Sequence, residues 1–324
     1  MTSSSLADRI IGSHPSMDAL RTLVAKVALS KASTVLIYGE TGTGKGLVAR
    51  AIHDQSHRAG HAFTEINCAA IPGNLMESEL FGHERGSFTG AVTQKVGLLE
   101  IANKGTVFLD EIRELEPTMQ AKLLTLLDSR RFRRIGAVKE QSSDIRFIAA
   151  TNKILLSEVN AGRFREDLYY RLQVVAINIP PLRERGEDIF VLAQYLLQKF
   201  NKVHGSQFHA ISPAVENVFR KYTWPGNVRE LGNLLERICI LESGSTVELQ
   251  HLPNRIIRAC EAGAAQGLAT TGDYVARTEA FQREMIQSAL QQHRGAVAAA
   301  AQALGLSRHA LRHQIRKLNL DAGS

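Results

Sequence analysis

Cysteine is scarce in this chain of 324 residues: Cys68, Cys239 and Cys260 are odd in number and widely separated. That argues against a disulfide framework or a cysteine-built zinc site and favours reduced thiols in a cytoplasmic protein. Long apolar runs are also missing, so no stretch is suited to cross a membrane and no membrane partner is expected. The opening residues, Met1 to Arg9, contain no basic stretch followed by an apolar one, so they do not read as a signal peptide. No internal repeat is visible.

What remains is ordinary in bulk and specific in detail. Hydrophobic residues make up 44% and charged residues 22%, as in a globular protein with room for two or three cores. The formal charge of +7 suggests a polyanionic partner, although a diffuse excess would also serve solubility.

Residues Met17 to Val27 carry apolar side chains at helical spacing, and Thr34 to Tyr38 read as a buried strand. The strand empties into Gly39-Glu40-Thr41-Gly42-Thr43-Gly44-Lys45-Gly46, and Leu47, Val48, Ala51 and Ile52 continue as a helix. Strand, glycine loop, lysine and helix are the context of a Walker A loop. Glycines let backbone N–H groups wrap phosphates, the helix N-terminus adds positive potential, and Lys45 supplies charge to the β/γ-phosphates. The usual Ser/Thr after the lysine is Gly46, so the magnesium-ligating hydroxyl is missing. Thr106 to Leu109 form a second apolar strand ending in Asp110-Glu111, a Walker B pattern. Asp110 is expected to hold the Mg2+ shell and Glu111 to polarise the attacking water of an ATP hydrolysis. A third strand, 145–150, ends in Thr151-Asn152, where Asn152 would sense the γ-phosphate. Alternating strands and helices imply a parallel α/β sheet with the ligand at the strand C-termini.

Between the two phosphate motifs lies Glu84-Arg85-Gly86-Ser87-Phe88-Thr89-Gly90-Ala91. Two glycines mark a tight, mobile loop whose phenylalanine either folds back into the core or is offered to a partner. Further on, Asp188 to Phe200 have one apolar helical face, Ser212-Pro213 read as an N-cap with proline at the first helical position, and Trp224-Pro225-Gly226-Asn227 make a turn before another helix. Arg229 falls in that helix's first turn, beside the wrong end of the dipole for a cation, a cost that a phosphate would offset. Ala259 to Ala276 are rich in small residues without an apolar stripe and read as a flexible linker. A first tail helix is expected from Phe281, Met285, Ala289 and Leu290. An Ala-rich helix from Ala296 to Leu304, a turn at Gly305-Leu306 and a helix capped by Ser307 follow. In the last helix Leu311, Ile315 and Leu318 face inward, and Arg308, His309, Arg312, His313, Arg316 and Lys317 face out. This fits a helix-turn-helix, though basic amphipathy alone would equally suit a membrane surface or a protein partner.

GETGTGKG, ESELFGHERGSFTGA, GTVFLDEI, GRFREDLYYRL, PPLRERGEDI and WPGNVREL occur in this order. Together they resemble the AAA+ domain of bacterial sigma-54-dependent transcriptional activators, and AAAAQALGLSRHALRHQIRKL resembles the Fis-type DNA-binding domain usual in that family. The resemblance implies an AAA+ P-loop NTPase with a parallel sheet, an α-helical lid and a C-terminal all-α helix-turn-helix domain. The expected boundaries are 1–178 for the α/β part, 179–258 for the lid, 259–276 for a linker and 277–324 for the DNA-binding domain. The implied function is ATP-driven remodelling of sigma-54 RNA polymerase holoenzyme by an activator bound to enhancer DNA and assembled with itself into a hexameric ring.

The resemblance also assigns roles. Gly39 to Leu47 hold nucleotide; Asn67 bonds the Walker B glutamate; Arg165 and Arg171 reach the neighbouring subunit's site; Arg229 is the lid's sensor arginine; Gly86, Ser87, Phe88, Thr89, Gly90 and Ala91 contact sigma-54. Read locally, Asn67 would cap a turn and the two arginines would pair with nearby acids. Arg308, His309, Arg312 and His313 are the candidates for groove contacts, with Ser307 at the cap and Arg316 and Lys317 for phosphate. Two departures stand out: the family is typically acidic at position 46 and usually has alanine at 87, where the added hydroxyl is expected to alter coupling at most. Only about 38 residues precede the P-loop, too few for a sensory domain of usual size. Regulation is therefore expected in trans, through a regulatory protein or abundance, as in phage-shock-type and Hrp-type activators. Two other readings are a DNA-binding regulator that uses ATP only as an assembly switch and an unrelated AAA+ machine. The intact Phe88-Thr89-Gly90 argues against the first, and the whole ESELFGHERGSFTGA insertion against the second.

Overall fold

The computed structural model describes residues 6–266, 283, 286–290, 293, 296–304, 306 and 308–318, and divides into a unit up to Ile257 and a second from Arg258. The first unit opens with helices α1 (Leu6–Arg9) and α2 (Pro15–Leu29), strand β1 (Thr34–Tyr38), helix α3 (Lys45–Asp54), β2 (Phe63–Asn67) and α4 (Gly73–Phe81). Next come β3 (Gly82–His83), β4 (Lys95–Val96), α5 (Leu98–Ile101), β5 (Thr106–Asp110), α6 (Pro117–Ser129), β6 (Arg131–Phe132) and β7 (Gln141–Ser142). The α/β part closes with β8 (Arg146–Thr151), α7 (Leu155–Asn160), α8 (Glu166–Leu172) and β9 (Ala176–Asn178).

Five strands form one sheet in the order β2-β5-β8-β1-β9, every neighbour parallel. Because strand side chains alternate, a sheet covered on both faces needs apolar residues at nearly every position. The sequence obliges. Leu36, Val107, Leu109, Phe147 and Ala149 enter one core, while Val35, Ile37, Phe108, Ile148 and Ala150 enter the other, under α2 and α3. The C-terminal ends of β1, β5 and β8 thus lie side by side, which brings the P-loop, Asp110-Glu111 and Thr151-Asn152 to one edge, where open α/β sheets take ligands.

The lid runs through α9 (Asp188–His204), β10 (Ala210–Ile211), α10 (Pro213–Lys221), α11 (Asn227–Leu241), β11 (Thr246–Val247) and α12 (Asn254–Gln266). Its core gathers Leu192, Phe208, Phe219, Trp224, Leu231 and Leu235 among others. Trp224 and Asn227 both have left-handed backbones (φ 51° and 49°). Such angles are costly for a tryptophan and persist only where the surroundings over-determine them. Here they do: Trp224 is 1% exposed, stands edge-on to Phe219 and Tyr222, and donates its indole N–H to Phe219 O at 3.0 Å.

Ser212 is the N-cap of α10 with Pro213 in the first turn, as the sequence predicts, although its buried hydroxyl makes no capping bond. One local expectation needs correction. The segment from Ala259, read as a linker, is helical as far as Gln266, and only 267–276 lie outside the described residues. Small residues misled here: Ala259, Ala262, Ala264 and Ala265 are the best helix formers and need no apolar stripe to continue a helix already begun.

In the second unit, helix Val297–Ala303 and helix Arg308–Lys317 share a small core with Ile286, Ala289 and Leu290. Leu311, Ile315 and Leu318 face inward as their spacing predicts, at 0%, 7% and 2% exposure. Phe281, Met285, Gly305 and Ser307 lie outside the described residues.

Replacing Trp224 by alanine should destabilise the lid by about 3–5 kcal/mol, through the lost burial and a cavity that a left-handed turn relaxes around poorly. Urea unfolding followed by far-UV circular dichroism would show the drop as an early loss of helical signal.

Candidate nucleotide and partner-contact site

The loop after β1 owes its shape to glycines at two points. Gly42 and Gly44 have φ of +80° and +101°, angles that side-chain-bearing residues avoid, and Gly44 starts α3. Thr43 Oγ1 donates to Glu40 O at 2.8 Å and pins the turn. Lys45 is 7% exposed, and its Nζ donates to Gly39 O at 3.0 Å and Glu40 O at 3.4 Å. The ammonium also sits 3.6 Å from Glu111 Oε1.

Glu111 carries the second unusual backbone, with φ of 52°. Its N–H bonds Asp110 Oδ1 at 3.0 Å, while its Oε2 is buried without a hydrogen-bond partner, 4.0 Å from Arg113 Nε. A buried carboxylate oxygen left open beside a buried ammonium is a site built for further polar guests. Asp110 keeps its second oxygen free of the Glu111 contact. The donor set therefore fits a hydrated magnesium ion held by phosphates and one carboxylate, since Gly46 offers no hydroxyl. Cys68, whose N–H bonds Asp110 O at 3.0 Å, is a packing residue: burial, reinforced by Asp110, pushes its thiol up to about 12.

The lid completes the cleft. Asn227, fully buried, accepts from Leu182 N–H through Oδ1 and donates through Nδ2 to Glu40 Oε2 and Thr41 O, both at 3.1 Å. Arg183 forks onto Glu40 at 2.6 and 2.8 Å and holds that carboxyl below its ordinary range. Glu40 is thus a clamp between loop and lid. Arg229 N–H lies 3.3 Å from Gly42 O, and its exposed side chain enters no ion pair among the described residues. The cleft so enclosed measures about 560 Å³. Thr41 to Leu47, Asn67, Asp110, Glu111 and Arg229 line it, and Ile10, Ile11, Leu192 and Leu196 form an apolar wall. The wall, Arg185 and Glu65 were not picked out from the sequence, because each comes from an element remote in the chain. Asn152 sits at the rim, donating to Thr41 Oγ1 at 3.4 Å.

One assignment meets a different geometry, and two rest on local ion pairs within the chain. Asn67 does not bond Glu111; its Oδ1 accepts from Ala69 N–H at 3.0 Å, the turn cap that a strand-end asparagine makes on its own. Arg165 pairs with Asp167 at 2.7 Å and Arg171 with Asp128 at 3.0 Å, and neither lines its own chain's cleft. Buried Gln120, invisible to motif reading, accepts from Arg165 N–H and donates to Leu115 O and Arg163 O, joining α8 to the segment behind Glu111.

The glycine-bracketed loop rises from the β3–β4 ladder. Its base is tight: a Cβ on Gly97 would fall 2.4 Å from Phe81 C, and one on Gly82 2.5 Å from Lys95 O. Its tip is open, with nothing within 4 Å of a Cβ on Gly86 or Gly90. Phe88 is 41% exposed and rests one edge on His83, 5.0 Å between ring centres. Gly86, Thr89 and Gly90 are exposed as expected of a contact tip, but Ala91 is 5% exposed and closes the loop from within. Ser87 turns inward as well, its Oγ buried without a partner and its Cβ 2.6 Å from where one on Gly136 would stand. In the tail, Arg308 and Arg312 are exposed; Ser307 and the side chains of His309, His313, Arg316 and Lys317 lie outside the described residues.

Comparison with known proteins agrees with this layout. A model of the sigma-54 interaction domain matches residues 10–178, an AAA+ ATPase lid domain 183–267, and the bacterial regulatory proteins of the Fis family 278–318. The nitrogen fixation protein AnfA of Azotobacter vinelandii is 47% identical over 302 residues, covering 93% of this chain and 56% of AnfA. The chain thus spans little more than half of that relative. The regulatory protein AtoC of Escherichia coli is 45% identical over 315 residues, covering 96% of this chain and 68% of AtoC. NtrX of Brucella abortus, solved in complex with ADP, superposes with a TM-score of 0.70 at 32% identity over 97% of this chain and 71% of NtrX.

Gly42→Ala forces a strained φ and drives a Cβ to 2.1 Å from Gly226 O, whereas Gly44→Ala meets strain but has open space. Fluorescent-nucleotide titration should show roughly tenfold or greater loss of affinity for Gly42→Ala and a smaller loss for Gly44→Ala.

Proposed function

The chain belongs to the family of sigma-54-dependent transcriptional activators, and we propose that it works as one: an ATPase that binds upstream enhancer DNA and remodels sigma-54 RNA polymerase holoenzyme from closed to open complex. The observation that carries the reading is the conjunction, within one α/β unit, of the cleft in which Lys45 faces Glu111 and a firmly based loop that lifts Phe88 into solvent. An assembly switch alone would have no use for that exposed ring.

The chemistry follows from the residues. N–H groups of the P-loop and of the α3 N-terminus receive the phosphates, and Lys45 exchanges the carbonyls of Gly39 and Glu40 for β/γ-phosphate oxygens. Glu111 orients the attacking water through the carboxylate oxygen that makes no hydrogen bond among the described residues. Magnesium, when bound, neutralises charge on the phosphate oxygens; Asp110 would hold it through water. Arg229, with no ion pair among the described residues, meets phosphate from the lid side, and Asn152 watches the γ-phosphate from β8. Asn67 would reach Glu111 only by releasing its turn at Ala69.

Arg165 and Arg171 trade Asp167 and Asp128 for the neighbouring subunit's nucleotide, which makes self-assembly into a hexameric ring a condition of turnover. Phe88 and Thr89, flanked by Gly86 and Gly90, touch sigma-54; Ser87 and Ala91 shape the loop from inside. The exposure of Arg308 and Arg312 supports groove reading by the last helix, with Ser307, His309, His313, Arg316 and Lys317 completing the proposed DNA surface. No described helix is long and apolar enough to cross a membrane, and the proposed setting is the cytoplasm, with a regulatory protein acting in trans.

Phe88→Ala should keep wild-type ATP hydrolysis and lose open-complex formation in transcription from a sigma-54 promoter in vitro; undiminished open complex would remove the loop's assigned role. Arg171→Ala alone should lower hydrolysis by about 10³-fold or more. Mixing Arg171→Ala with Glu111→Ala subunits should restore part of it, because each supplies what the other's interface lacks.

A further inference from the structure

Gly46 occupies the position at which P-loops ordinarily place a hydroxyl on magnesium. Its backbone does not require glycine: it lies in the first turn of α3, outside the left-handed region. A Cβ there would meet only Phe108 Cε1 at 3.6 Å and Glu65 Oε1 at 3.7 Å, ordinary contacts both. The second contact is informative. Glu65 comes from β2, the edge strand that follows α3 in the chain, and its carboxylate hangs over the residue that follows Lys45.

The sheet explains the placement. Glu65 and Asn67 are two apart on one strand, so they leave the same face, and in register they pair with Phe108 and Asp110. Asp110, Glu65 and the first turn of α3 therefore converge on one side of the sheet edge. Glu65 lines the nucleotide cleft with Lys45, Asp110 and Glu111, and among the described residues it makes no side-chain hydrogen bond or ion pair. An acid beside a phosphate site repels a bare polyphosphate. It becomes useful only when a cation stands between.

We propose that Glu65 supplies across the sheet the oxygen that position 46 lacks, accepting hydrogen bonds from water in the magnesium shell and steadying the ion against the phosphates. Gly46 leaves that approach open: a Cβ there would only touch the carboxylate, at 3.7 Å from Glu65 Oε1, and a longer side chain would compete for the same space. Glu65 is a positioning residue in this scheme, acting through the hydrated ion. The inference rests on the nucleotide-binding reading above and deepens it.

The test uses the full chain and a fluorescent ATP analogue, titrated in EDTA and across a magnesium series. Glu65→Gln should bind the analogue in EDTA at least as well as wild type. It should need about tenfold more free magnesium to reach the metal-bound affinity, the size of effect typical when a group bonded to a metal's shell is lost. Gly46→Asp added to Glu65→Gln should return the magnesium requirement toward wild type. Gly46→Asp alone, which sets two carboxylates together, should weaken binding in EDTA. Manganese resonance spectra of the chain with ADP give a second readout, in which Glu65→Gln should need about tenfold more manganese to reach the same bound fraction. An unchanged magnesium requirement, or tighter binding at every magnesium level, would overturn the proposal and leave Glu65 a solvated acid. A wild-type chain that binds no analogue in either condition would instead remove the nucleotide reading beneath it.

Discussion

A buried ammonium organises this molecule. Lys45 is held out of water at the edge of the sheet, with two carbonyls and the Glu111 carboxylate as its compensation among the described residues. A charge so placed is costly unless a strong partner arrives, and the nearby groups are arranged as if one does. Glu111 keeps a buried oxygen without a hydrogen bond and a left-handed backbone, and Arg229 reaches the cleft from the lid with no ion pair among the described residues. A nucleotide's polyphosphate is the ligand that suits this arrangement.

The lid depends on the same spot. Its link to the P-loop runs through Glu40, gripped by Arg183 and Asn227, and through the close approach of Gly42 to Gly226. Nucleotide that presses on the loop therefore presses on the lid. The strained turn at Trp224 and Asn227 fits this role, because its geometry is set by burial of the indole and its far end delivers Asn227 to the clamp. Packing energy in the lid is thereby converted into position at the phosphates.

The loop that carries Phe88 shows the complementary design, rigid where it is rooted and open where it ends. Backbone contacts too tight for any Cβ fix Gly82 and Gly97, while the glycines beside Phe88 stand in free space. Arg134 ties Glu84 at the loop's root to Glu100 on α5, at 3.0 and 2.6 Å. Ser87 is the odd member: its buried hydroxyl finds no partner, so it occupies the loop's inner wall at some cost against the neighbouring Gly136.

Read alone, the sequence determined whatever depends on neighbours along the chain. Continuous apolar runs named β1, β5 and β8; the glycine loop pointed to a phosphate; Leu311, Ile315 and Leu318 marked the inner face of the last helix. Local reading misjudged the alanines before Gln266, taking them for a linker, but it rightly gave Asn67 to its own turn, where the family resemblance gives it to Glu111. Tertiary structure alone decided which distant residues meet. Asn227 reaches Thr41, Glu65 overhangs Gly46, and Gln120 anchors α8, each across a separation that no periodicity encodes. The physical reason is that a parallel sheet sets strand ends side by side irrespective of their order in the chain. The chemistry of the edge therefore belongs to the register of the strands, and only folding reveals it.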